Sequence, residues 1–195
     1  MKGRLIFATK NKNKMKEIRQ ILDGKGYEIL SMEEAGIYLD VVEDGATFEE
    51  NALIKARAIR DYVKDAVVLA DDSGLEVDYL GGAPGIYSAR WQGEDTPYSV
   101  KNQTLLQKME GVPEEDRTAR FVCAMAAAFP DGTDQVVRGT IEGMIGYESA
   151  GDHGFGYDPV FFVPEYKCTT AEMSPEQKNE ISHRGKALRK IAAYL

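Results

Sequence analysis

Two short segments of this 195-residue chain combine residue types suited to phosphate chemistry. Thr9-Lys10-Asn11-Lys12-Asn13-Lys14 gathers hydroxyl, amide and ammonium donors between the apolar run Leu5-Ile6-Phe7-Ala8 and a helical pattern that puts Met15, Ile18, Ile21 and Leu22 on one face. Unpaired backbone N–H groups and the helix dipole make such a helix start a seat for an anion, and lysines clustered there are unfavourable without one. The Gly-x-x-x-x-Gly-Lys spacing of a P-loop is missing, which argues against a P-loop nucleotidase. Asp71-Asp72-Ser73-Gly74 follows Val67-Val68-Leu69-Ala70, a strand pattern expected to stop at Ala70 and to leave the polar residues at its carboxyl end, where α/β sheets bind ligands. Two carboxylates in that setting require donors or a cation. Magnesium meets the need, because it takes one or two protein carboxylates and completes its shell with water and phosphate oxygens. An Asp turn bonding its own backbone is the competing reading.

Other residues could serve the same chemistry. Glu43-Asp44-Gly45 offers a second acidic group, or an ordinary solvated turn, ahead of a helix that Thr47 and Glu50 open as a capping box and that runs to about Lys64. Lys55 lies four residues after Asn51 on that helix, so the two share a face. In Gly151-Asp152-His153-Gly154-Phe155-Gly156-Tyr157-Asp158-Pro159, two aromatics sit on a glycine-rich loop, able either to cap a core or to present a ring to a nucleobase. A stacked base is worth roughly 1–3 kcal/mol. Lys178 and Ser182-His183-Arg184 are donors, and donors favour a purine 6-keto oxygen over the 6-amino group of adenine. Their alternative is a helix cap with solvated charges.

These residues need elements to hold them. Asp23-Gly24-Lys25-Gly26 breaks the chain before a strand at Tyr27–Leu30, and Gly81 to Gly85 form a loop. Thr96-Pro97 reads as an N-cap and first-turn proline of a helix reaching Met109. Ala119–Phe129 and Gln135–Ile145 form a hairpin around Pro130-Asp131-Gly132-Thr133, and Val160–Val163 is a last strand. The C-terminal stretch is helical from Ser174-Pro175, with Ser182 as a second N-cap. The alternation of strands and helices implies an α/β fold. A formal charge of −8 argues against a protein that coats nucleic acid. No apolar run approaches the roughly 18–20 residues of a membrane span, and Met1-Lys2-Gly3-Arg4 leads into too short an apolar run for a secretory leader, so a cytoplasmic protein is expected. Cys123 and Cys168 lack CxxC or metal-ligand spacing and read as reduced thiols.

Taken in order, Thr9-x-Asn11-x-x-Lys14, Thr47-Phe48-x-Glu50-Asn51-Ala52, Ala70-Asp71-Asp72-Ser73-Gly74-Leu75, Gly82-x-Pro84-Gly85-x-Tyr87-Ser88-Ala89-Arg90, Phe155-Gly156-Tyr157-Asp158-Pro159, and Lys178 with Ser182-His183-Arg184 resemble the inosine triphosphate pyrophosphatase family. The match spans nearly the whole chain. The resemblance implies one domain over residues 1–195, an elongated α/β fold with a mixed, twisted sheet and flanking helices, two lobes around a central substrate cleft, and a homodimer. It also implies Mg2+-dependent hydrolysis of ITP, dITP and XTP to the monophosphate and pyrophosphate. By motif position, Asp72 is the expected general base and a metal ligand. Thr9, Lys10, Asn11, Lys12, Asn13, Lys14 and Lys55 are the expected triphosphate contacts, and Ser73 is a further substrate contact. Phe155 is expected to stack on the base, with Gly156, Tyr157 and Asp158 as the adjoining wall and Lys178, His183 and Arg184 reading its edge. Many relatives carry a metal-associated glutamate where this chain has Val42; Glu43 is the nearest substitute, with Asp44 as the alternative. A module that binds the same nucleotides without turning them over is the rival reading.

Overall fold

The computed structural model describes residues 3–195; Met1 and Lys2, which open the segment read above for a leader, lie outside the described residues. The strands are β1 (Gly3–Phe7), β2 (Tyr27–Ser31), β3 (Val67–Val77), β4 (Thr118–Ala128), β5 (Asp134–Ile145), β6 (Phe161–Val163) and β7 (Cys168–Thr169). The α-helices are α1 (Lys12–Leu22), α2 (Phe48–Val63), α3 (Tyr98–Lys108), α4 (Pro175–Ile181) and α5 (His183–Ile191). All seven strands join one sheet in the order β2-β1-β3-β4-β5-β6-β7. The sheet is mixed: β1 runs parallel to β2 and β3, with Leu5 opposite both Ile29 and Val67, while β6 runs antiparallel to β5 and β7. The expected α/β class is therefore observed. The expected hairpin turn closes through Phe129 N–H to the Thr133 carbonyl at 2.9 Å, with Asp131 Oδ1 accepting from the Thr133 amide and hydroxyl.

By its contacts the chain divides into two compact units. The first comprises the chain up to Asp72, Cys123–Gly139 and His183–Leu195; the second comprises Ser73–Val122 and Thr140–Ser182. Each has its own core. In the first, Leu5 and Phe7 of β1, Ile18 and Leu22 of α1, Leu69 of β3, Met125 of β4 and Leu188 and Ile191 of α5 pack together. In the second, Leu75, Val77, Leu105, Met109, Phe121, Ile145, Phe161 and Met173 do so. Among the described residues no helix is long and apolar enough to cross a membrane.

Four local readings change. β3 does not stop at Ala70 but continues through Asp71, Asp72 and Ser73 to Val77, so both aspartates lie within the strand. Burying a carboxylate is costly unless it is paired or hydrogen-bonded, and here each aspartate has partners, described below. Tyr98, not Pro97, opens α3, and the Thr96 hydroxyl donates back to the Gln92 carbonyl at 2.7 Å instead of capping the helix. Thr47 caps α2 by accepting from Glu50 N–H at 3.1 Å, but the Glu50 carboxylate takes Ala46 N–H and so does not close a capping box. The last expected strand begins at Phe161, because a 3-10 turn occupies Asp158–Val160.

Candidate active site

In the first unit, the phosphate-friendly segment is a helix start held by its own side chains. Asn11 caps α1, its Oδ1 accepting from Asn13 N–H at 2.9 Å and Lys14 N–H at 3.2 Å, while Thr9 Oγ1 accepts from Asn11 N–H at 3.1 Å. The first turn of α1 has no acidic residue to offset its lysines. Lys14 turns inward, its Nζ 3.1 Å and 3.0 Å from the two carboxylate oxygens of Asp71. Residues two apart on a helix face roughly opposite sides, and Lys12 accordingly points away. With Thr9, Lys10, Met15, Arg19 and Ser31 it lines a cavity of about 330 Å³ in which neither Asp71 nor Asp72 takes part. Lys10 pairs with the exposed Asp40. Of the lysines in this segment named as phosphate contacts, the structure brings Lys14 to the acidic strand and leaves Lys10 and Lys12 elsewhere.

Adjacent residues of a strand project to opposite faces, and Asp71 and Asp72 meet different surroundings. Asp71 is 1% exposed and lies against Lys14 and the Arg184 guanidinium, 3.4 Å away, which also pairs with Glu17 of α1. Burial alone would raise its carboxyl, but the charges of Lys14, Arg184 and Lys55 outweigh it and hold Asp71 well below the usual carboxylate range. Asp72 is 8% exposed and accepts from Asn51 Nδ2 at 3.0 Å. Burial pushes its carboxyl above the ordinary value; Lys55 and the Asn51 hydrogen bond oppose the shift, and the Glu43 charge adds to it. Lys55 Nζ donates to the Asp71 carbonyl at 2.7 Å and pairs with Glu43 at 2.9 Å. Asp44 is exposed and Val42 is 76% exposed, so Glu43 is the acid of this loop that faces the strand's neighbours.

Those contacts leave a charge imbalance. Glu17, Glu43, Asp71 and Asp72 stand against Lys14, Lys55 and Arg184, and the surplus falls on Asp72, which makes no ion pair among the described residues. A buried carboxylate served by a neutral amide is a donor for a cation. Among the described residues no group of three or more His, Cys, Asp or Glu side chains is arranged to hold a metal.

His183 and Arg184 open α5 at 6% and 2% exposure. The helix lies this close to the sheet because β5 has Gly139 beneath it: a Cβ there would strike the His183 carbonyl oxygen and lie 2.7 Å from Ala187 N.

In the second unit, the glycine-rich loop is tied by a buried ion pair. Asp158 Oδ2 accepts from Lys178 Nζ at 2.6 Å and Phe155 N–H at 2.8 Å, and its Oδ1 accepts from the Thr170 hydroxyl at 2.8 Å. Gly154 has φ +73° and packs where a Cβ would strike Asp158 Oδ2. Lys178 Nζ lies 5.1 Å from the centre of the half-buried Phe155 ring. Of the two readings of this loop's aromatics, capping a core or presenting a ring, Tyr157 takes the first. Its ring is 4% exposed, edge-on to Tyr98 at 5.3 Å, with its hydroxyl on the Ser88 carbonyl at 2.8 Å. The loop reverses at Gly154 and Gly156, sending Tyr157 into the core. Ser73, the first residue of this unit, is half-buried on β3.

Sequence reasoning passed over three contributors. Asn51 was weighed only with Lys55, although an asparagine in the first turn of a capped helix is a signal in itself. Asp71 was given no role of its own beside Asp72. Glu17 follows Lys14 by three residues on α1, the spacing of neighbours on one helix face.

Fold and site together define an α/β protein with a buried carboxylate, Asp72, in a cluster that also holds Lys14 and Lys55. The Ham1 family profile matches residues 5–194. The dITP/XTP pyrophosphatase of Clostridium perfringens is 51% identical over 193 residues, covering 96% of this chain and 95% of that protein. The solved Ham1 protein of Staphylococcus aureus is 40% identical with TM-score 0.87, covering 98% of this chain and 97% of that one. The HAM1 protein of Coxiella burnetii is 36% identical with TM-score 0.88 at the same coverage. The chain belongs to the Ham1 family.

Proposed function

We infer that the protein hydrolyses triphosphates of non-standard purines, ITP, dITP and XTP, to the nucleoside monophosphate and pyrophosphate, removing them from the nucleotide pool. The observation that carries this reading is Asp72, buried on β3 and hydrogen-bonded to a neutral amide, in a cluster that also holds Lys14 and Lys55. Asp72 accepts the proton of the attacking water, a role that suits a carboxyl raised by burial. Lys14 and Lys55 receive the triphosphate and offset the charge that builds on departing pyrophosphate. Thr9 to Asn13 add donors at the start of α1, and Ser73 adds a hydroxyl. Asp72 and Glu43 are the side chains that would hold Mg2+, which when bound polarises phosphate oxygens and lowers the pKa of coordinated water.

Phe155 stacks on the base, Gly156 to Asp158 support that loop, and Lys178, His183 and Arg184 supply donors that suit a 6-keto purine and oppose adenine. The reading extends to a homodimer working in the cytoplasm, with residues 1–195 acting as a single domain and no nucleic-acid or membrane partner. A net charge of −8 supports the exclusion of nucleic acid.

Pyrophosphate release from ITP, dITP, XTP, GTP, dUTP and ATP, with and without Mg2+, tests the reading. ITP, dITP and XTP should be turned over at least roughly 100-fold faster than ATP, and only with the metal. Comparable hydrolysis of ATP, or orthophosphate as the first product, would refute it.

A further inference from the structure

The two acidic segments of the proposed site, the loop bearing Glu43 and the strand residue Asp72, are joined by one side chain. Asn51 lies in the first turns of α2 at 1% exposure. Its Oδ1 accepts from Gly45 N–H at 2.9 Å, and its Nδ2 donates to Asp72 Oδ2 at 3.0 Å. A primary amide has an acceptor at one prong and a donor at the other, and here each prong serves one acid-bearing segment. The fit on the loop side is close: a Cβ on Gly45 would lie 2.8 Å from Asn51 Oδ1 and 2.7 Å from Glu50 Cβ. The next residue, Ala46, donates its N–H to Glu50 Oε2 at 2.6 Å, so the loop is moored to α2 by two successive side chains.

We propose that Asn51 is a positioning residue that holds Asp72 and, through Gly45, the Glu43 loop in the register that lets both carboxylates serve one magnesium ion. This rests on the pyrophosphatase reading above. Asn51 engages a single oxygen of Asp72 and brings no charge. It therefore orients the carboxylate without neutralising it and leaves Oδ1 for the cation. Asp71 shows the contrast, since two cations, Lys14 and Arg184, lie against its carboxylate. Groups that orient a metal-binding carboxylate from behind it typically contribute 10- to 100-fold to metal affinity or turnover.

The test compares wild-type protein with Asn51→Ala and Gly45→Ala by two readouts. One is kcat and KM for ITP at saturating Mg2+. The other is a titration of substrate-free protein with Mg2+ alone, followed through the backbone amide resonances of Glu43 and Asp72. Asn51→Ala should lower kcat by about 10- to 100-fold with KM changed less than about threefold, and raise the Mg2+ midpoint about tenfold. Gly45→Ala, which keeps the Asn51–Asp72 bond but displaces the loop, should raise the midpoint in the same direction. A wild-type Mg2+ midpoint and kcat in Asn51→Ala overturns the proposal; if that variant does not fold, the same result in Gly45→Ala overturns it. Wild-type protein inactive on every triphosphate would instead refute the pyrophosphatase reading, while the metal titration would still judge Asn51.

Discussion

Replacing Asp158 with alanine offers a stringent test of how the aromatic loop is held. Asp158 is 2% exposed and Lys178 5%, and their charged atoms are 2.6 Å apart. Removing the carboxylate strands a buried ammonium, a change that costs about 3–5 kcal/mol. It also removes the acceptor that Phe155 N–H reaches at 2.8 Å and leaves the Thr170 hydroxyl with only the longer bond, 3.2 Å, to the residue's carbonyl. Lost and weakened hydrogen bonds of that kind add to the loss. In a chain of this size 1 kcal/mol moves the melting midpoint by about 2–4 °C, so a fall of roughly 6–20 °C is expected. Removing Lys178 as well should return part of the loss, because the ammonium that needed the carboxylate is gone, and Asp158→Ala with Lys178→Met should differ from the sum of the single changes by at least about 2 kcal/mol. Urea unfolding followed by fluorescence reports on this unit directly, because the chain has one tryptophan, Trp91, whose ring centre is 6.4 Å from that of Tyr157. Additive single and double variants, or an Asp158→Ala penalty below about 1 kcal/mol, would show that the pair does not hold the loop.

The two central aspartates should respond to pH in opposite senses. Asp72 has a carboxyl raised by burial, so its ionisation costs stability that is present below the ordinary carboxylate range and lost as pH rises through the raised value. Asp72→Asn should therefore abolish pyrophosphate release while unfolding at a higher temperature than metal-free wild-type protein at neutral pH; retained turnover or a lower midpoint would contradict this. Asp71, held low by Lys14, Arg184 and Lys55 against its burial, contributes stability above the unfolded value of about 3.9 that is lost only as pH falls through its depressed folded value. Asp71→Asn should cost about 3–5 kcal/mol in urea unfolding at neutral pH, with the gap narrowing in strong acid; a constant gap at all pH values would refute the assignment.

Local pattern alone determined much of this protein. The periodicity of Met15, Ile18 and Leu22 specified α1, and Thr47 marked the beginning of α2. Such features depend on residues within a turn or two of one another, so composition and spacing suffice to read them. The ordered motifs carried the resemblance to the family to which the chain belongs. Tertiary structure decided what their residues meet. Asp71 and Asp72 look alike in sequence, yet one is locked between Lys14 and Arg184 and the other keeps a surplus charge beside Asn51. Lys12 and Lys14 look alike too, and α1 turns them to different sides. β3 runs on through its acidic residues because their partners arrive from α1, α2 and α5, elements distant in sequence. The cost of burying a charge is set by what lies against it in the fold, and no local pattern carries that information.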